Sequence, residues 1–132
     1  MRIYITPCCA EKEEKYQASG ELVPPNLLYT SKKTQGFMRQ CKVRQVAWAI
    51  FSDLYGVWFP EIRHAWYEKD PNSVTDEEFW QLLRNFDESL APYSQICFYH
   101  NPGSLNPLHK RLLKETALGD RVKMITKLRD IA

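Results

Sequence analysis

Short apolar runs alternate along this chain with longer segments in which apolar residues recur every three or four positions. The short runs have the character of buried β-strands, and the longer segments have helical periodicity. This alternation predicts an α/β fold with three layers, α/β/α, around a mainly parallel sheet of about four strands. We expect the 132 residues to form a single α/β domain. Strands are predicted at residues 3–6, 45–52, 95–99 and 121–126, and helices at residues 33–41, 76–91 and 107–118.

The helix that follows residue 75 has the clearest signature. Thr75 and Glu78 have the spacing of a capping box, in which each side chain accepts a hydrogen bond from a backbone N–H group at the helix start. The helix is predicted to stop before Pro92. Its apolar residues lie on one face at helical spacing: Phe79, Leu82, Leu83, Phe86 and Leu90.

Glycine and proline mark the loops and one helix end. Gly20, Pro24 and Pro25 predict an extended loop after the first strand, and residues 57–74 are aromatic and predicted to be irregular. Gly119 is predicted to close the last long helix as its C-cap. A short helical tail is expected after the fourth strand.

Composition predicts a cytoplasmic protein with reduced thiols. The chain has no apolar run of about 18 residues, so no membrane span or membrane partner is expected. Its N-terminus lacks the basic region and long apolar stretch of a secretory signal. The four cysteines are expected to be free, because a cytosolic chain with a full core does not need disulfides. Composition predicts neither a cofactor nor an oligomeric state.

The net charge is +2, and the charged residues are unevenly distributed along the chain. Residues 1–44 and 110–132 are basic, whereas residues 61–90 are acidic. Two interpretations stay open at this point. The basic segments hold an anionic ligand, or they are simply part of a solvated surface of mixed charge.

The loop after the first strand holds the first candidate site. The strand ends at Pro7, and Cys8, Cys9 and Lys12 follow. A thiol near a lysine can have a lowered pKa and act as a nucleophile, and the lysine can bind an anion or polarise a carbonyl. We therefore predict Cys8 and Lys12 as catalytic residues and expect Cys9 to face the core. The alternative is a structural thiol beside a surface lysine.

Three further loop segments contain predicted substrate-binding residues. In open α/β sheets, ligands bind beyond the carboxyl ends of the strands, where such loops gather. Polar side chains and glycines there can present hydrogen-bonding groups, and aromatic residues can stack on a ligand. The alternative for each segment is a helix cap or a tight turn. The predicted binding residues are Tyr29, Ser31, Ser52, Asp53, Tyr55, Gly56, Asn101 and Gly103.

Several kinds of site are not indicated. Cys8 and Cys9 lack the two-residue spacing of a zinc knuckle, and His64, His100 and His109 are scattered, so no metal site is predicted. The glycine spacing fits neither a P-loop nor a dinucleotide fingerprint. The chain also lacks the nucleophile-elbow motif that often accompanies a serine–histidine–acid triad.

Three of these segments, taken in order, resemble known motifs. They are similar to the Cys-x-x-x-Lys, Leu-Tyr-x-Ser and Ser-x-x-Tyr-Gly motifs of a family of small uncharacterised prokaryotic and phage proteins. Pro7-Cys8 with Lys12 and Tyr16 also resembles a stretch of the core domain of archaeosine synthase, a tRNA-modifying enzyme. The wider group resembles a uracil-DNA-glycosylase-like α/β fold. The matching segments here are residues 8–12, 28–31 and 52–56.

The resemblance implies a nucleobase or nucleotide site, and the residues suggest roles within it. Lys12 would hold an anion, Tyr29 or Tyr55 would stack or donate a hydrogen bond, and Cys8 would be a nucleophile or a ligand contact. Such a protein would bind a nucleobase or nucleotide and modify or hydrolyse it. Two alternatives stay open: a non-catalytic module that binds DNA or RNA through the basic segments, and a partner-binding domain that uses residues 57–67.

Overall fold

The computed structural model describes residues 1–132, apart from the side chain of Pro102. Helices and strands alternate as an α/β fold requires. The strands are β1 (Arg2–Pro7), β2 (Ala47–Ser52), β3 (Gly56–Trp58), β4 (Gln95–Tyr99) and β5 (Val122–Ile125). The α-helices are α1 (Lys15–Ser19), α2 (Pro25–Leu28), α3 (Lys32–Arg44), α4 (Asp76–Leu90) and α5 (Pro107–Glu115). Short 3-10 turns lie at Pro71–Ser73, Pro102–Ser104, Gly119–Arg121 and Leu128–Asp130.

The five strands form one sheet in the order β3-β2-β1-β4-β5. The pairs β1–β2, β1–β4 and β4–β5 are parallel, and β3 runs antiparallel to β2. From β1 the chain passes through α3 to β2 on one side, and later returns through α4 to β4 on the other side. The strand order therefore reverses between β1 and β4, which is where open α/β sheets leave a crevice for ligands.

Both faces of the sheet are buried, as a three-layer fold requires. Along β1 the side chains alternate: Ile3 and Ile5 pack with the apolar faces of α4 and α5, whereas Tyr4 packs with α3. The α/β/α prediction is thus confirmed.

The structure corrects the sequence-based interpretation at three places. The sheet has five strands, because β3 forms a short antiparallel edge that overlaps the beginning of the segment predicted to be irregular. The predicted extended loop with Gly20, Pro24 and Pro25 instead contains the two short helices α1 and α2. Gly119 is not the C-cap of α5. That helix ends at Glu115, where Thr116 caps it and turns its hydroxyl to Asp87 of α4.

Other predicted elements are confirmed with small shifts at their ends. The strand at residues 95–99 agrees with the structure, and the helix predicted at residues 33–41 extends to Lys32–Arg44. Gln45 terminates α3 in the left-handed region, with φ of 56°, so β2 begins two residues later than predicted. Both halves of the predicted capping box are present at the start of α4.

Candidate functional site

A cleft of about 540 Å³ opens at the carboxyl edge of the sheet. One wall is the loop after β1, with Cys8, Cys9 and Lys12, and Asp53 projects from the turn after β2. The rest of the lining comes from residues 67–71, from His100 after β4, and from the beginning of α5. The cleft therefore lies beside the reversal of strand order, as predicted for loops that follow parallel strands.

Cys8 lies directly beyond β1. Its N–H donates to the carbonyl of Phe51 at 2.9 Å, which continues the pairing of β1 with β2 by one residue. Burial of the sulfur and the nearby Asp53 carboxylate raise the pKa of Cys8 to about 12, although Tyr67 and Lys12 favour the thiolate. Cys8 therefore presents a neutral thiol to the cleft at neutral pH.

Lys12 supplies a cation to the same wall. Its backbone forms an isolated antiparallel bridge with Tyr29, and its Nζ lies 4.6 Å from the centroid of the Tyr67 ring. The ammonium also donates to the carbonyl of Ala10 at 3.4 Å. Among the residues described, no carboxylate lies within 4.0 Å of it. Its charge is therefore not neutralised by a neighbouring acid.

Tyr67 connects the cleft to a buried hydroxyl network. Its hydroxyl lies 2.5 Å from that of Tyr29 and accepts from Ser52 Oγ at 2.9 Å. Ser52 Oγ in turn accepts from the backbone N–H groups of Leu54 and Tyr55. Burial raises the pKa of both Tyr67 and Tyr29, so both hydroxyls stay protonated. The network fixes the position of Tyr67 at the edge of the cleft.

Asp53 and His109 form a buried pair in the lining of the cleft. His109 Nε2 lies 2.9 Å from Asp53 Oδ1, and the two side chains are only 5% and 6% exposed. The ring of Phe51 packs edge-on against the imidazole, with 5.8 Å between centroids. Asn106 caps α5 by accepting from the N–H of Leu108, which sets the first turn of the helix and the position of His109.

A charged loop covers one side of the cleft. Residues 67–71 contribute Glu68, Lys69 and Asp70 to its lining. Lys69 Nζ lies 3.1 Å from both carboxylate oxygens of Glu78, which attaches this loop to the first turn of α4. The cleft therefore combines two cations with three carboxylates and two imidazoles.

Five of the predicted site residues lie in the cleft or directly behind its wall. Cys8, Lys12 and Asp53 line the cleft. Tyr29 and Ser52 lie fully buried behind Tyr67, so they support the cleft wall and are not part of its lining.

The remaining predicted residues lie elsewhere. Ser31 caps α3 by accepting from Thr34. Tyr55 stacks on His64 at 3.9 Å between ring centroids. Gly56 begins β3 with φ of 78°, and an added Cβ would overlap the amide of Asn85.

Asn101 and Gly103 form a local turn beside the cleft. The side chain of Asn101 accepts from the N–H of Gly103 at 3.0 Å. It is the preceding residue, His100, that lines the cleft. Burial lowers the pKa of His100, which favours its neutral form. The turn therefore positions His100, and neither Asn101 nor Gly103 is part of the lining.

The residues of the cleft that the sequence did not predict include Tyr67, Lys69, His100 and His109. His109 lies on a helix and 56 positions from Asp53. A histidine that only packs in the core would also lie on the apolar side of α5. No local sequence pattern distinguishes a core histidine from one that lines a cleft, so only the tertiary fold shows the Asp53–His109 pair.

Among the described residues, the structure shows neither a metal-binding cluster nor a membrane-spanning helix. No group of three or more His, Cys, Asp or Glu side chains is placed to hold a metal ion. No helix in the described part of the chain combines the length and apolar character needed to cross a membrane.

Fold and cleft together define an open, doubly wound α/β protein with a polar crevice at its strand reversal. Comparison of the chain with protein-family models, with curated proteins and with solved structures found no match.

Proposed function

We propose that the cleft binds a nucleobase or a nucleotide. The observation that carries this proposal is the convergence of Lys12, the Asp53–His109 pair and Tyr67 on one cleft. These groups come from four separate parts of the chain and meet at the strand reversal. The volume, about 540 Å³, lies within the usual range for small-molecule sites, about 300–1,000 Å³.

Lys12 is the group suited to a phosphate or a base carbonyl. No described carboxylate neutralises it, and it lies over the Tyr67 ring at the edge of the cleft. An ammonium is a strong, flexible donor to an anionic oxygen, particularly where water is partly excluded. A bound phosphate or carbonyl would therefore gain a charge-assisted hydrogen bond.

The Asp53–His109 pair is suited to the polar edge of a base. A carboxylate and an imidazole together offer acceptor and donor groups, and the short contact between them holds the ring in one orientation. In a ligand complex, the same pair is placed to move a proton. Cys8 acts in this proposal as a neutral hydrogen-bonding contact, because burial disfavours its thiolate.

A thermal-shift and calorimetry panel of nucleobases, nucleosides and nucleoside monophosphates tests the proposal. A ligand present at 100 times its Kd stabilises the folded state by about 2.7 kcal/mol, which raises Tm by on the order of 10 °C. Lys12→Met is expected to weaken nucleotide binding at least tenfold, because it removes a charge-assisted hydrogen bond.

Lys15→Met is the matched control. Lys15 is exposed on α1 and lies over Tyr16, outside the cleft. It is expected to leave binding unchanged. The proposal is wrong if no compound in the panel raises Tm at millimolar concentration, or if Lys12→Met and Lys15→Met weaken binding equally.

A further inference from the structure

A second surface feature lies along α3. This helix carries five cations, Lys32, Lys33, Arg39, Lys42 and Arg44, and no carboxylate. All five side chains are exposed. Among the described residues, none of them has a carboxylate within 4.0 Å. The helix therefore presents uncompensated positive charge to solvent.

Two of these cations, Arg39 and Lys42, line a groove. Helical spacing places four polar side chains along one side of α3: Lys32, Gln35, Arg39 and Lys42. Gln35, Arg39 and Lys42 line a groove of about 460 Å³, together with Asn26, Trp48 and Pro60.

Trp48 gives the groove an aromatic surface. It is partly exposed, and its indole packs at 89° to the ring of Phe37 with 6.3 Å between centroids. This packing holds the indole in one orientation beside Arg39 and Lys42. Cations next to a fixed aromatic face are the combination that binds single-stranded nucleic acids, through phosphates and stacked bases.

Tyr29 is buried and lies between the groove and the cleft. Gln35 donates to the carbonyl of Tyr29, and the backbone of Tyr29 is paired with Lys12, which lines the cleft. From Gln35 to Lys42 the helix rises about 10 Å. That length corresponds to about three nucleotides of a stacked strand.

We propose that the groove holds a single-stranded nucleic acid whose chain continues to the carboxyl edge of the sheet, where one base enters the cleft. Arg39 and Lys42 contact phosphates, and Trp48 stacks on an unpaired base. This inference rests on the proposed function, since it makes the ligand of the cleft one base of a polymer. A base must leave its stack before a cleft of this size can take it, which favours a single strand over a duplex.

Fluorescence anisotropy with a labelled single-stranded 12-mer, measured over a range of salt concentrations, tests the inference. Arg39→Gln/Lys42→Gln is expected to weaken binding at least tenfold and to reduce the slope of log K against log salt by about 1.4, because two phosphate contacts are lost. Trp48→Leu is expected to weaken binding about fivefold or more, with a smaller effect on the salt slope.

The matched control is Lys110→Gln/Lys114→Gln on α5. Both lysines are exposed, and α5 packs on the opposite face of the sheet. The double variant removes the same charge and is expected to keep at least half of the wild-type affinity. Circular dichroism and thermal melting confirm that each variant is folded.

The possible outcomes separate this inference from the proposed function. Suppose that mononucleotide binding depends on Lys12 but that Arg39→Gln/Lys42→Gln leaves the affinity for the 12-mer unchanged. The groove inference is then overturned and the proposed function stands. If binding of the 12-mer depends on Arg39 and Lys42 but no nucleobase or mononucleotide binds, the groove holds the strand, whereas the proposed function and the entry of a base into the cleft both fail.

Two further results would overturn the groove inference. One is an equal loss of affinity in the α5 control, which would indicate a general effect of charge. The other is a combination of two observations: polyglutamate at the same charge concentration displaces the 12-mer, and Trp48→Leu leaves binding of the 12-mer unchanged. That combination would indicate an acidic protein surface as the occupant of the groove.

Discussion

The chemistry available to Cys8 depends on what surrounds its sulfur. In the sequence, a thiol four residues from a lysine suggests a lowered pKa. In the structure the lysine does favour the thiolate, but burial and the Asp53 carboxylate outweigh it. Desolvation destabilises the thiolate by more than one nearby ammonium stabilises it. The same residue pattern therefore produces a neutral thiol.

Cys8 is expected to react slowly with iodoacetamide. At pH 8 a thiol with a pKa of about 12 is ionised roughly a thousandfold less than one with an ordinary value near 9, and only the thiolate reacts. The measurement is alkylation of Cys9→Ser protein, followed by peptide mass spectrometry at residue 8. The rate should rise about tenfold for each pH unit.

The same variant unfolded in urea is the control. Its Cys8 should be alkylated at the rate of a free cysteine. Equal rates in the folded and unfolded protein would contradict the raised pKa and would restore Cys8 as a candidate nucleophile.

At the scale of elements, the starts of the three longest helices were predicted better than short strands and short helices. The capping box of α4 depends only on Thr75 and Glu78, three residues apart, so the local sequence contains all of it. The strand β3 has three residues, which are too few to show a periodicity. It forms because its backbone pairs with the edge of β2. Gly119 failed as a C-cap because Thr116 is already tied to Asp87 on another helix.

Glu78 is expected to make stability depend on pH. Hydrogen bonding from the backbone of Thr75, and then the contact with Lys69, lower the pKa of Glu78 below its usual 4.5. A carboxyl with a lowered folded-state pKa stabilises the fold fully above its unfolded value. That contribution is lost as pH falls through the folded value. Glu78→Gln should therefore lower Tm at pH 7, and the difference from wild type should shrink below pH 4.5.

Glu77→Gln is the control for this effect. It removes a carboxylate from the same helical turn but leaves the capping box and the contact with Lys69 in place. Its Tm at pH 7 should lie closer to wild type than that of Glu78→Gln. Thermal melts between pH 3 and 7 measure both. A Tm difference for Glu78→Gln that stays constant over this range would contradict the assignment.

For the whole molecule, the contact between Asp53 and His109 joins elements that are distant in sequence. Asp53 follows β2, and His109 lies in the first turn of α5, on the face of the sheet that α4 also covers. A buried polar pair of this kind costs free energy when one partner is removed, because the other is left without a hydrogen bond.

A double-mutant cycle measures this coupling. Asp53→Ala and His109→Phe are expected each to destabilise the protein, and their effects should be non-additive by about 1–3 kcal/mol. Urea unfolding of the two single variants and the double variant gives the coupling free energy.

The exposed pair Arg111–Asp76 is the matched control. It has the same 2.9 Å contact, but its side chains are 42% and 84% exposed. Its coupling should be close to zero, because water and salt screen exposed pairs. A coupling for Asp53–His109 no larger than that of Arg111–Asp76 would contradict a structural role for the buried contact.

The sequence by itself determined the alternation of strands and helices, the α/β class and the capping box of α4. These depend on periodicity and on residues within one turn of each other. It also placed Cys8, Lys12 and Asp53 in loops after strands, which a parallel sheet brings to one edge.

Only the tertiary structure decided which of the predicted residues share a cleft. It placed Tyr29 and Ser52 behind the wall, brought His109 to Asp53 from 56 positions away, and left Cys8 a neutral thiol. The physical reason is that burial, and contacts between distant segments, set the pKa and the exposure of a side chain. Neither is contained in the spacing of residues along the chain.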